Sequence, residues 1–305
     1  MNRSFIYGML AAISICAAPS IFALTFSTNV EGKNSKFSQC AWESDPHINK
    51  VPLRGKPGRR DNVYIRTYGK DFEIDMPVEV KSIAFLYDTN TKMENKKLVT
   101  TRGDMGFESS GGAGTNNVLK AKKSEFIING SLRFYLWEKC QGMGSSALQM
   151  EDSKMMLNGN ILYSVPALYL KATKNRSGAE ISLTGDSFIK SKGEILLDSL
   201  LAENPNLHFR FVFNEKDGKI PFISVESANL EGAEIHINIK NKLKKGLYPI
   251  IDCNKKESKG KPRLITINGA KVSLGTVSAV NGQDITLKID SADGKKKIDY
   301  VLEVK

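Results

Sequence analysis

Three short stretches of this chain share one pattern: residues 128–132 read INGSL, residues 157–161 read LNGNI and residues 183–188 read LTGDSF. In each stretch a pair of turn-forming residues stands between apolar residues, and the successive turn pairs are 29 and 26 residues apart. A period of about 20 to 50 residues is typical of stacked units, none of which can bury its apolar face alone. The repeat therefore predicts parallel strands, stacked about 4.8 Å apart, in the middle of the chain.

The segments around these stretches have the composition of β-strands. Short runs rich in β-branched and aromatic residues, such as 132–137, 207–213 and 233–239, are bounded by Gly, Asn, Asp or Ser. Helical periodicity is nearly absent, and the one segment that could form a helix, 193–202, also fits a strand and a turn. The sequence predicts an all-β fold, with a β-solenoid as the main prediction and an antiparallel β-sandwich as the alternative.

Two further Asn-Gly pairs have a different spacing. Asn268-Gly269 and Asn281-Gly282 are only 13 residues apart. Asn-Gly fits the two-residue type I′ turn of a β-hairpin. We therefore expect hairpins, rather than solenoid turns, near the C-terminus.

The overall composition excludes several classes of protein. The chain has 305 residues, a net charge of +11 and 41% hydrophobic residues, which argues against wholesale disorder. It has only three histidines and no paired-cysteine spacing, so no metal ligand or cofactor is predicted. His208 and His236 alternate within strand-like runs and are interpreted as side chains on a sheet face. No catalytic motif occurs, and the sequence predicts that the chain is not an enzyme.

The first 23 residues have the order of a Sec-type signal peptide. Arg3 supplies the positive charge, residues 6–18 are apolar, and residues 20–23 offer a cleavage site after Ala23. The segment is too short for a good membrane span, and no later stretch reaches about 18 apolar residues. We expect a mature chain without a transmembrane segment that is secreted, periplasmic or displayed on the cell surface.

Removal of the signal peptide would leave Cys40, Cys140 and Cys253. In an oxidising compartment, three cysteines allow one internal disulfide and leave one thiol over. Cys40 and Cys140 each lie near a Trp-Glu pair, at 42–43 and at 137–138, which makes them the preferred disulfide candidate. The other two pairings remain open.

Positive charge is concentrated near the C-terminus. Residues 236–305 contain 15 Lys or Arg and seven Asp or Glu, a local excess of +8. On an exported protein such a cluster favours acidic polysaccharide, lipopolysaccharide or another anionic cell-surface component, unless it is an ordinary solvated loop. Nucleic acid is not an expected partner, because no aromatic platform accompanies the lysines. The candidate polyanion-binding residues are Lys240, Lys242, Lys244, Lys245, Lys255, Lys256, Lys259, Lys261 and Arg263.

Both ends of the expected mature chain resemble a known family. Trp42 is followed at 57–65 by PGRRDNVYI, residues 245–252 read KGLYPIID, and residues 300–304 read YVLEV. These segments resemble the opening, the closing segment and the last strand of autotransporter-associated β-strand proteins, which are passenger-like secreted β-solenoids. The resemblance implies a right-handed parallel β-helix that is secreted or surface-displayed, in which binding or structural roles are more common than catalysis.

The sequence thus predicts three regions and one main function. The regions are a signal peptide at 1–23, a β-solenoid at 24–240 with a polar insertion near 88–124, and a basic, hairpin-rich β cap at 241–305. We expect an exported, non-catalytic, adhesin-like surface module that binds anionic glycan or lipid surfaces. One alternative is a β-helix polysaccharide lyase or hydrolase, which would need carboxylates or a basic residue clustered on one face. The other is a pilus-type subunit, an immunoglobulin-like sandwich completed by a donor strand.

Overall fold

The computed structural model describes residues 24–29, 35–44, 52–53, 55–109, 116–136, 145–164, 178–197, 207–214, 219–254, 259–290 and 299–305. The predicted signal peptide, Cys140, Lys255 and Lys256 lie outside these ranges, so what concerns them stays a prediction. Across the described ranges, no helix is both long enough and apolar enough to span a membrane.

The described part of the chain begins with a small cap at one edge of the first sheet. It consists of a 3₁₀ turn at Phe37–Gln39 and three strands: β1 (Thr25–Asn29), β2 (Ala41–Ser44) and β3 (Pro52–Leu53). Strand β1 pairs antiparallel with β2, and β2 with β3. Phe37 and Trp42 are buried with their ring centroids 4.9 Å apart in an edge-to-face contact. These aromatic rings belong to the core at the N-terminal end of the described helix.

Six regular turns follow, and each turn places one strand in each of three parallel sheets. Their strands, in chain order, are β4 (Asn62–Arg66), β5 (Asp71–Ile74), β6 (Val78–Val80), β7 (Ser82–Leu86), β8 (Thr89–Glu94), β9 (Lys97–Thr100), β10 (Met105–Ser109), β11 (Asn116–Lys122), β12 (Glu125–Ile128), β13 (Leu132–Leu136), β14 (Ser145–Glu151), β15 (Lys154–Leu157), β16 (Ile161–Ser164), β17 (Gly178–Thr184), β18 (Phe188–Ser191), β19 (Ile195–Leu197), β20 (Leu207–Phe213) and β21 (Phe222–Val225). Within these turns the first sheet takes β4 and every third strand after it, the second sheet takes β5 and every third strand after it, and the third sheet takes β6 and every third strand after it. This architecture is an all-β parallel β-helix, as the sequence predicts, and the antiparallel sandwich is wrong.

The last strands complete the parallel β-helix and then cover its C-terminal end. They are β22 (Glu234–Ile239), β23 (Gly246–Cys253), β24 (Leu264–Ile267), β25 (Ala270–Lys271), β26 (Val277–Val280), β27 (Gln283–Asp290) and β28 (Asp299–Val304). Strands β22, β23 and β24 still join the sheets in parallel, so the solenoid continues beyond residue 240. Strands β25 to β28 pair antiparallel and form the hairpin-rich cap.

The two predicted hairpin turns are confirmed. Asn268 and Gly269, between β24 and β25, have φ angles of 47° and 82°. Asn281 and Gly282, between β26 and β27, have φ angles of 52° and 73°. Positive φ at both central residues is what a type I′ turn requires, and Asn and Gly adopt it most readily.

In most strands, alternate residues point into a single core. In the first sheet the in-register pairing stacks Phe85, Phe107 and Phe134, with neighbouring ring centroids 5.1 Å apart. In the second sheet Leu148 and Ile181 belong to a similar buried row. Because parallel strands in register place equivalent side chains directly above each other, each turn covers the apolar face of the one before it.

The predicted repeat is right at its first interval and wrong at its second. Asn129-Gly130 and Asn158-Gly159 occupy the same corner of successive turns, where the Gly159 N–H donates to the Gly130 carbonyl oxygen at 2.8 Å. The residues above them are Lys192-Gly193, 34 residues on, rather than Thr184-Gly185. Thr184-Gly185 lies at another corner, because similar turn residues serve more than one corner of the coil.

The polar stretch at 88–124 is not an insertion in the residues that the structure describes. It contains strands β8 to β11, which pair in register with the turns on either side. Lys92 and Lys120 belong to the outward-facing positions of these strands, while Met93 and Leu119 are buried. The stretch is polar because one face of each strand contacts water.

Candidate functional site

The outer face of the second sheet carries two neighbouring rows of polar side chains. In-register pairing of β17, β20, β22 and β24 aligns Glu180, His208 and Glu234 in one row. It aligns Arg210, His236 and Thr266 in the other row, two residues further along each strand. Since side chains two residues apart lie on the same face of a strand, the two rows form one polar surface.

Three of these side chains converge on one point, and we call them the histidine cluster: His208, Glu234 and His236. Glu234 Oε2 lies 3.0 Å from His208 Nδ1 and 3.0 Å from His236 Nε2. The two ring nitrogens are 3.3 Å apart, and the rings stack with an interplanar angle of 12°. The side chains are 25%, 12% and 15% exposed, respectively. The histidine cluster is thus half-buried, with one side open to solvent.

Neighbouring residues hold the histidine cluster in place. Arg263 donates to Glu234 Oε1 from Nε at 3.0 Å and from Nη2 at 2.7 Å. His236 Nδ1 lies 2.9 Å from Thr266 Oγ1. Arg210, on the same strand as His208, forms an ion pair at 3.2 Å with Glu180 of the preceding turn. Both arginines around the histidine cluster are therefore matched by a carboxylate.

The pKa values of two cluster residues are shifted. Burial raises the pKa of Glu234, but the Arg263 hydrogen bond and the charges of His208, Arg263 and His236 outweigh it, so this pKa lies below its ordinary value. Burial lowers the pKa of His208 by more than the Glu234 carboxylate raises it. At neutral pH the cluster therefore contains an ionised carboxylate and, at His208, an uncharged imidazole.

An open depression of about 530 Å³ adjoins the histidine cluster along the same sheet face. Lys92, Lys120, Gln149, Ser182 and Arg210 line it from successive turns. Acidic residues line the depression as well, among them Glu73, Glu94, Glu151 and Glu180, so it carries both signs of charge. Such a surface can contact an extended polar ligand at several successive turns.

The structure places the first run of candidate lysines on a loop at the corner between the second and third sheets. We call residues 240–245 the lysine loop. Leu243 is buried, its N–H donates to Gln283 Oε1 at 2.8 Å, and its carbonyl accepts from Gln283 Nε2 at 2.7 Å. This anchor fixes the loop against the cap. The lysines on both sides of Leu243, namely Lys240, Lys242, Lys244 and Lys245, are exposed.

The second run lies on the same end of the helix but at another corner. Lys259 and Lys261 are exposed and lie between β23 and β24, where Asn229 bridges to Lys259 in parallel. Arg263 does not join these lysines, because its guanidinium is held by Glu234 in the histidine cluster. Arg263 is therefore a cluster residue rather than part of a polyanion surface.

The cysteines differ in their surroundings. Cys40 is half-buried and packs against the core, and the disulfide predicted between Cys40 and Cys140 stays a prediction. Cys253, at the end of β23, is fully buried. Burial, with Asp299 and Asp252 nearby, raises the pKa of the Cys253 thiol to about 12. Since the thiolate is the reactive species, this thiol is chemically protected.

We therefore expect Cys253 to resist alkylation in the native protein. At pH 8 a thiol with a pKa of about 12 is ionised in roughly one molecule in 10⁴, and burial also excludes the reagent. Iodoacetamide labelling followed by peptide mass spectrometry should find Cys253 unmodified in native protein and fully modified in guanidinium chloride. Equal labelling rates in the two conditions would contradict this burial.

The sequence does not predict the histidine cluster, although it contains part of the signal. His208 and Arg210 are two residues apart in one strand, as are Glu234 and His236 in the next, so each pair shares a face. The interpretation of both histidines as sheet-face residues is correct. What brings them together is the strand register, which the sequence does not specify.

The fold and the polar face define the class of protein: an all-β parallel β-helix with a charged outer surface on its second sheet. Comparison of the chain with protein-family models, curated proteins and solved structures finds no match.

Proposed function

We propose that this chain is an exported, non-catalytic β-helix module that binds an acidic polysaccharide through the exposed lysines at its C-terminal end. The observation that carries the proposal is the absence of compensating charge. Among the described residues, no carboxylate lies within ion-pair distance of the side-chain nitrogen of Lys240, Lys242, Lys244, Lys245 or Lys259. Near Lys261, by contrast, the Glu231 carboxylate accepts from the backbone N–H at 3.3 Å. Several uncompensated cations on one rigid end create a field that attracts a polyanion.

The geometry also supports a binding role for the lysine loop. The anchor at Leu243 keeps the four neighbouring lysines on a fixed backbone, so less conformational entropy is lost when a ligand binds. Other lysines are less available. Lys97 and Lys122, for example, form ion pairs with Glu125 and Glu151 at 3.1 and 3.0 Å.

Changing Lys240, Lys242, Lys244 and Lys245 together to serine should weaken heparin binding at least about tenfold. A lysine near an anionic surface contributes up to about 1 kcal/mol, and attraction is screened beyond about 8 Å at physiological salt. Heparin chromatography and calorimetry in low and moderate salt measure the effect. Wild-type binding should weaken steeply as salt rises, while the circular dichroism of the variant stays native.

A matched control removes the same number of charges from paired positions. Lys92, Lys97, Lys122 and Lys219 each contact a carboxylate, and their joint change to serine should leave heparin affinity nearly unchanged. An equal loss of heparin affinity in both quadruple variants would mean that the net charge of the protein, rather than the lysine loop, determines binding. The proposal would be contradicted if heparin affinity did not depend on salt and was the same in the wild type and in the lysine-loop variant.

One observation favours a second candidate, a β-helix lyase or hydrolase that acts on an acidic glycan. Glu180, His208, Arg210 and Glu234 lie together on one face of the second sheet, which is the clustering such an enzyme needs. Incubation with pectin, alginate or chondroitin sulfate, with detection of cleavage products, distinguishes this candidate from a binding module. The pilus-type alternative loses its basis, because its immunoglobulin-like sandwich is not the fold of the described residues.

A further inference from the structure

The histidine cluster has the shape of an incomplete coordination sphere. Its three polar atoms, Glu234 Oε2, His208 Nδ1 and His236 Nε2, form a nearly equilateral triangle with sides of 3.0, 3.0 and 3.3 Å. Nitrogen and oxygen ligands lie about 2.0–2.2 Å from Zn²⁺, and two such ligands of one tetrahedral ion are therefore about 3.4 Å apart. The triangle requires adjustments of only a few tenths of an ångström to surround one ion.

We propose that His208, Glu234 and His236 form a binding site for a divalent first-row transition metal ion, with Zn²⁺ as the reference ion. Two imidazoles and one carboxylate are a donor set that suits Zn²⁺ and its neighbours. Ca²⁺ and Mg²⁺ prefer sites built from oxygen ligands. The proposal is independent of polyanion binding, since it involves none of the exposed lysines.

The residues around the triangle orient its donor atoms. Arg263 occupies Glu234 Oε1 with two hydrogen bonds, so Oε2 is the oxygen that faces both rings. The Thr266 hydroxyl oxygen lies 2.9 Å from His236 Nδ1 and can accept a hydrogen bond from Nδ1–H, which leaves the Nε2 lone pair directed at the triangle. Hydrogen bonds of this kind to the second ring nitrogen are the usual support of a metal-bound histidine.

The position of the site leaves room for a further ligand. The three side chains project from the outer face of β20 and β22, and His208 is 25% exposed. Three protein ligands and one position open to water or a small ligand are typical of non-structural zinc sites. The polar depression on the same face extends as far as Glu180 and Arg210, which neighbour the histidine cluster.

Without a metal ion, the same atoms can be joined by hydrogen bonds alone. In that arrangement each ring donates one N–H to Glu234 Oε2, and no ligand is needed. The two arrangements predict different metal contents, so a direct measurement separates them.

The test uses the full mature chain after dialysis against EDTA and removal of the chelator. Titration with ZnSO₄ by calorimetry, and metal analysis after gel filtration, should give one ion per chain. X-ray absorption should show nitrogen and oxygen ligands at about 2.0–2.2 Å, whereas sulfur at about 2.3 Å would assign the ion to cysteine and overturn the proposal.

Variants locate the site. His236→Gln and Glu234→Gln should weaken Zn²⁺ binding more than about 100-fold, and Thr266→Val about 10- to 100-fold, as for other residues that orient a ligand. His47→Gln changes the remaining histidine of the chain and should leave affinity unchanged. If circular dichroism shows that either of these two ligand variants does not fold, His208→Gln replaces it.

Two results would overturn the proposal. One is a wild-type chain that retains no zinc through gel filtration. The other is a folded ligand variant that binds Zn²⁺ with wild-type affinity. Either result would identify the triangle as a hydrogen-bonded cluster.

Discussion

Replacing Phe107 with alanine is expected to lower the free energy of unfolding by about 3–5 kcal/mol. Phe107 is fully buried in β10, and its ring stacks on Phe85 and on Phe134 with centroid distances of 5.1 Å to each. The neighbouring rings belong to the turns on either side, so the cavity would interrupt the contact between three successive turns. Parallel strands paired with β10 on both sides limit how far the backbone can move to close this cavity.

Urea denaturation followed by tryptophan fluorescence and by circular dichroism measures this effect. Both signals should be recorded, because a stacked protein can unfold in parts rather than in one step. Met156→Ala is the matched control, since Met156 also lies in a regular strand but is 44% exposed, and its loss should change stability by no more than about 0.5 kcal/mol. Similar costs for the two substitutions would contradict the aromatic stack.

Replacing Gly159 with alanine should cost about 1–3 kcal/mol. The φ angle of Gly159 is not positive, so the requirement for glycine comes from the distance between turns. A Cβ atom at this position would lie 2.8 Å from the carbonyl carbon and oxygen of Gly130 in the turn below. Gly193 meets the Gly159 backbone in the same way at 2.7–2.8 Å. The added methyl group would therefore have to separate turns that hydrogen bonds hold together.

Gly106→Ala is the control for this glycine corner. A Cβ at Gly106 would lie 3.6 Å from its nearest neighbours, an ordinary contact, and alanine in a strand is favoured over glycine by roughly 0.5–1 kcal/mol. Urea denaturation should thus find the two Gly→Ala variants shifted differently, with Gly159→Ala destabilised and Gly106→Ala neutral or slightly stabilised. A neutral Gly159→Ala variant would contradict the close approach of the turns.

Local signals account for the parts of the fold that the sequence predicts. The Asn268-Gly269 and Asn281-Gly282 turns follow from backbone preferences of two adjacent residues, so their identification needs no knowledge of the rest of the chain. The same holds for the alternation of 207–213, where every second residue is buried. The sequence-based prediction is wrong where the same residue pattern occurs at different corners of the coil. Thr184-Gly185, for example, has the turn-pair pattern of Asn129-Gly130 but lies at another corner.

The predicted site residues also divide into those determined by their neighbours in sequence and those determined by contacts with distant parts of the chain. The exposed lysines of the lysine loop are visible in the sequence, because a run of charged residues around a single Leu can only be solvated. Arg263 belongs to the same run in sequence, yet its guanidinium contacts Glu234, 29 residues earlier. Proximity along the chain does not determine which of two corners, or which neighbouring turn, a long side chain reaches.

The sequence by itself determined the all-β class, the stacking of parallel strands in its middle and the hairpins at its end, because these depend on side-chain alternation and turn chemistry within a few residues. Only the tertiary structure decided the register of the turns. Equivalent residues are 20 positions apart at Val63 and Ile83 but 34 apart at Ile161 and Ile195. Since corner lengths vary while hydrogen bonds align the strands, no fixed period places His208 beside Glu234 and His236; the pairing of β20 with β22 does.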